Sequence, residues 1–80
     1  MDINGYKIRP SKHFVLGWMR KWDYDIDSLR RALESTYKIN KVGKKKYEAY
    51  TRAKGKSRKF IVIKDEEYKE IFIITGAEGK

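Results

Sequence analysis

Apolar residues recur along this chain with two different periods. From Phe14 the spacing is three and four residues, through Val15, Trp18, Met19 and Trp22, which draws one apolar stripe down a helix of about three turns. Ser11 precedes it as an N-cap, and Pro10 ends the alternating stretch Gly5 to Arg9, which predicts a short strand. A second periodic run, Ile26, Leu29, Ala32 and Leu33, is entered through Asp23, Asp25 and Asp27, acids that complement the positive end of a helix. The spacing predicts that helix over Ile26 to Tyr37.

Beyond Tyr37 the period falls to two. Lys46 to Ala53 sets Tyr47, Ala49, Thr51 and Ala53 against Glu48, Tyr50 and Arg52, a half-exposed strand. Lys54-Gly55-Lys56-Ser57 supplies a turn, and Arg58 to Lys64 carries the unbroken run Phe60-Ile61-Val62-Ile63 of a strand inside a sheet. Asp65 to Tyr68 connects it to a last β-branched strand, Glu70 to Thr75. The order β-α-α-β-β-β predicts an α+β fold, an antiparallel sheet with two helices packed on one face and the other face left for a ligand. At 80 residues this is a single small domain over 1–80, with room for one cleft.

Charge changes the picture most. Lys38 to Lys59 holds ten Lys and Arg against the single acid Glu48, so the net +9 is concentrated in that stretch. A local positive field attracts polyanions, and RNA is the leading partner, because neutralised phosphates release condensed counterions and Tyr47 and Tyr50 within the band offer rings for bases to stack on. No cysteine is present and His13 is the only histidine, so thiolate sites are excluded and neither a metal nor a cofactor is expected. MDINGYKIRPSKH has no apolar leader and the longest apolar runs have four residues, so a soluble cytoplasmic protein with no membrane partner is expected. The Lys, Ile, Tyr and Glu content also suits a thermophile's charged surface, which competes with RNA as the reason for the lysines.

Several residues in this order resemble the RelE/BrnT-like toxin superfamily. They run from Ile8 to Thr75: a strand leading into Ser11-Lys12-His13, the apolar helix Leu16, Trp18, Met19, then Ile26, Leu29, Ala32-Leu33, next Lys46-Tyr47-Glu48-Ala49-Tyr50, a basic turn, Arg58-Lys59-Phe60-Ile61-Val62, and Ile71-Phe72-Ile73-Ile74-Thr75. The resemblance implies a small basic endoribonuclease, encoded with an antitoxin that covers the basic face, cutting RNA by turning a 2′-hydroxyl on the adjacent phosphate.

Such chemistry needs a base, cations for the developing phosphorane charge and an acid for the leaving oxygen. His13, in the first turn of a helix, is the base; a plain exposed first-turn residue is the alternative. Arg52 and Arg58 flank the Lys54-Gly55-Lys56 turn, so pairing would bring them together to clamp phosphate, with Lys59 close behind; a solvated hairpin tip is the alternative. Thr75 would hold a phosphate oxygen. Tyr50, on one face with Glu48 and Arg52, is the stacking platform, with Tyr47 in the core. Lys44, Lys45, Lys46, Lys54, Lys56 and Lys59 supply general phosphate attraction, and Glu48 and Glu78 are substitute bases. An uncovered Trp18 or Trp22 would mark a partner or homodimer surface. Two other classes fit the chain: a non-catalytic RNA-binding module on the same strands, and a structural or interaction domain with a lysine-rich surface.

Overall fold

In a computed structural model, residues 1–53 and 55–78 are described. Strand β1 (Lys7–Pro10) leads into a helical segment made of α1 (Lys12–Phe14) and a π-helical turn (Val15–Met19). Helix α2 (Ile26–Glu34) follows, then β2 (Lys38–Lys41), β3 (Lys46–Ala53), β4 (Lys56–Asp65) and β5 (Glu70–Glu78). The five strands form one sheet in the order β1-β5-β4-β3-β2. The fold is α+β with the helices packed on the sheet, as the periodicity predicts.

Three details differ from the sequence reading. The sheet is mixed, because β5 returns beside β1 in the same direction while β2 to β5 form an antiparallel meander. α2 stops at Glu34, and the Tyr37 N–H donates to the Tyr50 carbonyl at 2.9 Å, so the residues expected in the last helical turn lead into β2 instead. The first helix widens into a π turn from Val15, where Tyr24 N–H reaches back five residues to the Met19 carbonyl at 2.9 Å beyond its end. That turn buries Phe14, Met19 and Trp22 but leaves Val15 and Leu16 outside, so Val15 is not part of the core stripe.

The core lies between the helices and one sheet face. Phe14, Trp22 and Phe60 meet with centroids 5.8 to 6.2 Å apart, and Leu29, Leu33, Val62, Ile71, Ile73 and Ile8 continue the layer. A glycine in β5 makes this possible: a Cβ at Gly76 would stand 3.0 Å from the Trp22 ring, 3.1 Å from Phe14 and 3.2 Å from the Lys59 carbonyl. Among the described residues no helix is long and apolar enough to cross a membrane.

Asp25 fixes where α2 begins. Its Oδ1 accepts from Ser28 N–H at 2.8 Å, and its own N–H donates to Ser28 Oγ at 2.9 Å, a reciprocal capping box. The Ser28 backbone N–H first, then its hydroxyl, holds the Asp25 carboxyl below the usual carboxylate range. A carboxyl depressed in the folded state stabilises above its unfolded pKa and ceases to as pH falls through its folded pKa. Asp25→Ala is therefore expected to lower the Tm by a few degrees at about pH 7, and the gap to the parent should close as the pH is taken below about 3. Circular-dichroism melts across that range would show it; a gap that does not change with pH would argue against the carboxylate's part in the cap.

Candidate nucleic-acid interface

Paired residues in adjacent strands share a face, so the register sorts the side chains. On the face away from the helices, Arg9, Phe72, Ile63 and Lys46 form one row across β1, β5, β4 and β3. The next row is Thr75, Ile61, Glu48 and Asn40, the third Ala77, Lys59, Tyr50 and Lys38, and the last Ser57 and Arg52. This open face has half-buried apolar residues at its centre, Phe72, Ile61 and Ile63, edged by cations.

Around Tyr50 the cations and rings converge. Lys38 Nζ lies 5.4 Å from the Tyr50 centroid, the Tyr37 ring stands 6.4 Å from it, and the Arg52 guanidinium covers Tyr37 at 4.7 Å. Tyr37 is anchored by a 2.7 Å hydrogen bond between its hydroxyl and buried Ser57 Oγ. Lys59 leans toward Glu48 at 3.6 Å, and Tyr50 Oη donates to the same carboxylate at 3.4 Å. Cations over flat rings, none deeply buried, are chemically suited to a single strand, whose bases can stack on rings and whose phosphates can take up cations.

His13 enters from the sheet's β5 margin. Ser11 ties the start of α1 to β5, accepting nothing there but donating twice, its N–H to the Ile73 carbonyl at 2.9 Å and its Oγ–H to the Ile74 carbonyl at 2.7 Å. Ser11 Oγ also caps the helix by accepting from Phe14 N–H at 3.0 Å. This fixes His13 so that Nε2 lies 3.2 Å from Thr75 Oγ1. The register between β4 and β5 shifts at Ile61/Val62, a bulge that leaves Ile74 without a partner and aligns Thr75 with Ile61 on the open side.

The structure brings together His13 and Thr75 at one margin, and Tyr50, Lys59, Lys46 and Arg52 on the open face. It separates Arg58 from them. Arg58 pairs with Thr51 and Arg52 with Ser57, so the two guanidinium groups point to opposite sides of the sheet and form no clamp. Arg58 lies on the helix side, 4.9 Å from the Trp22 ring and 5.4 Å from that of Tyr24, and its Nη1 donates to Tyr24 Oη at 3.1 Å. From strand spacings, Arg52 also stands about 16 Å from Thr75 between Cα atoms. On the open face Lys59 stands closer, about 8 Å from Thr75 on the same basis, and Lys12 is the cation next to His13 along α1.

The lysines divide in the same way. Lys46 belongs to the open face, Lys56 pairs with Ala53 toward the helix side, and Lys44 and Lys45 sit in the β2–β3 turn. Lys54 lies outside the described residues. Glu78 pairs opposite Arg58 and is bonded to Lys21 at 3.0 Å, which holds its carboxyl below the usual range, so it stands away from His13's partner residues on the open face. Tyr47 packs on the core, as its alternation predicts. Trp18 is half-buried beside Trp22 at 4.9 Å, with Lys21 over its ring.

Tyr37, Lys38 and the Arg9–Phe72 stack, 4.2 Å between guanidinium carbon and ring centroid, are open-face residues that the sequence reading did not select. The alternation Lys38-Ile39-Asn40 is the signal for Lys38, obscured by the helix period running into it, whereas Tyr37 precedes β2 and no period marks its facing. No protein-family model, curated protein or solved structure matches this chain.

Proposed function

We propose that this protein is a RelE/BrnT-like RNA-cleaving toxin, a metal-independent endoribonuclease that holds single-stranded RNA on its open sheet face. The observation that carries the proposal is the pair His13 Nε2 and Thr75 Oγ1, 3.2 Å apart at the margin of a face bearing Lys59, Lys46 and Arg52. Bases stack on Tyr50 and Tyr37 while phosphates meet Lys38, Lys59 and Arg52. His13 accepts the proton of a 2′-hydroxyl as the 2′-oxygen bonds to phosphorus. The bond from phosphorus to the 5′-oxygen breaks, and that oxygen leaves with a proton from water. Lys59 stabilises the charge on the phosphoryl oxygens, and Thr75 acts as a positioning residue that orients the imidazole. An antitoxin fits as the protein partner, its acidic surface covering the same face.

A second reading, a non-catalytic RNA-binding module, is favoured by one observation: Arg58 belongs to the helix side, which leaves Arg52, among the described residues, as the face's one guanidinium near Tyr50. The two readings separate on His13→Ala. With a labelled single-stranded RNA in EDTA, the parent should leave 2′,3′-cyclic phosphate ends, and His13→Ala should lose cleavage by about 100-fold or more while its RNA affinity changes less than about twofold. Binding by the parent without any cleavage, alone or with ribosomes added, would establish the binding module instead.

A further inference from the structure

A second basic site lies at the opposite end of the sheet from Arg52, on its helix side. Lys41 pairs with Tyr47, Tyr47 with Val62, and Lys64 with Ile71, residues of the core-bearing face. Around them the β2–β3 and β4–β5 turns flank a half-open cavity of about 260 Å³ lined by Lys41, Lys44, Lys45, Lys64, Tyr47 and the carboxylates Glu66 and Glu67. Among the described residues, none of these four lysines lies within ion-pair distance of a carboxylate. Four ammonium groups against two carboxylates leave the cavity wall positive.

Both turns are held in place without a ligand. Lys64 N–H donates to the Lys45 carbonyl at 2.9 Å, which fastens the β2–β3 turn to β4. Val42 and Gly43 both donate to the Lys46 carbonyl, at 2.9 and 3.2 Å. On the other wall, Asp65 Oδ1 accepts from the N–H groups of Glu67 and Tyr68 at 3.0 and 3.1 Å. Like charges gathered on two fixed turns repel each other, and a multiply charged anion between them removes that repulsion. The cavity is small beside the several hundred Å³ of a typical small-molecule site, so it suits a chain of two or three phosphates better than a whole nucleotide.

We infer that this cavity binds a di- or triphosphate group, held by Lys41, Lys44, Lys45 and Lys64. The inference does not rest on RNA cleavage, because the site is on the other side of the sheet from the open face. Lysine suits the task as a mobile point charge that follows phosphate oxygens without fixed geometry. The ligand's source is either inorganic polyphosphate or a nucleoside triphosphate whose base lies outside the cavity.

Isothermal titration of the full chain at low salt with sodium triphosphate, and separately with ATP, tests this. The expected result is saturable binding at one site per chain, weakened at least tenfold in Lys45→Gln/Lys64→Gln. In titrations repeated at about 0.15 M salt, the charge-matched open-face pair Arg52→Gln/Lys59→Gln, toward the opposite end of the sheet, should change it less than about twofold, since charges beyond the roughly 8 Å Debye length are screened. Equal affinities for both anions assign inorganic polyphosphate, and tighter binding of ATP assigns the nucleotide. Absence of saturable binding, equal weakening in the two double variants, or stoichiometric displacement of triphosphate by single-stranded RNA would each overturn the assignment.

Discussion

Phe60→Ala should bring this domain close to unfolding at ordinary temperature. Phe60 is fully buried, tilted or edge-on to Phe14, Trp22 and Tyr24 at 5.9, 5.8 and 6.4 Å. Truncating a buried phenylalanine costs about 3–5 kcal/mol, the lost transfer energy plus the cavity that its neighbours cannot fill. Collapse is restricted here, because the Trp22 and Phe14 rings already sit against Gly76, with no space to move toward β5. A chain of this length has a total stability of about 4–12 kcal/mol, so the substitution removes a large share of it. Urea denaturation followed by tryptophan fluorescence measures the loss. Ile61→Ala, one residue along on the open face and only half-buried, is the internal control and should cost about 1 kcal/mol or less. Equal losses at the two positions would mean that β4 does not present its faces as the register states.

Why the core was legible and the site only partly so follows from what each depends on. Burial is written in the side chains themselves: Leu29 and Leu33 on α2, and Phe60, Val62, Ile71 and Ile73 on the strands, follow the expected periods and are all fully buried. Tyr50 and Tyr47 take opposite faces because alternation within one strand requires it. β2 was hidden because Lys38-Ile39-Asn40-Lys41 has weak strand propensity and gains its order from pairing with Tyr47 to Tyr50, a contact that no local pattern states. The π turn has no signature either. It shifts the facing of Val15 relative to Phe14 and is settled by how Met19 and Trp22 reach the core. His13 and Thr75 are 62 residues apart, and their meeting depends on Ser11 docking on β5 and on the bulge at Ile61/Val62.

Arg52 and Arg58 show the finest dependence, and their substitutions should separate cleanly. With a three-residue turn the two arginines would pair directly and share a face. Ala53 instead pairs with Lys56, leaving two positions between them, and Gly55 accommodates φ +77° in that turn. One residue of turn length thus moves Arg58 to the opposite side of the sheet. There it packs over Trp22 and Tyr24, its Nη1 donates to the Tyr24 hydroxyl at 3.1 Å, and its Nε is buried. Arg58→Ala should therefore lower stability by about 1–3 kcal/mol through the lost stacking, hydrogen bond and packing, with RNA affinity reduced only by the general loss of one positive charge. Arg52→Ala should leave the Tm within about a degree or two, because its contact is with exposed Tyr37, yet weaken RNA binding about five- to tenfold at low salt. Its plot of log affinity against log salt should lose about 0.7 in slope, one phosphate contact on a single strand, while that of Arg58→Ala keeps the parent's slope. Paired melting curves and salt-dependent anisotropy titrations decide it. An Arg58 variant that melts like the parent but loses the slope would put both arginines on the phosphates, and would mean that the hairpin closes through a three-residue turn.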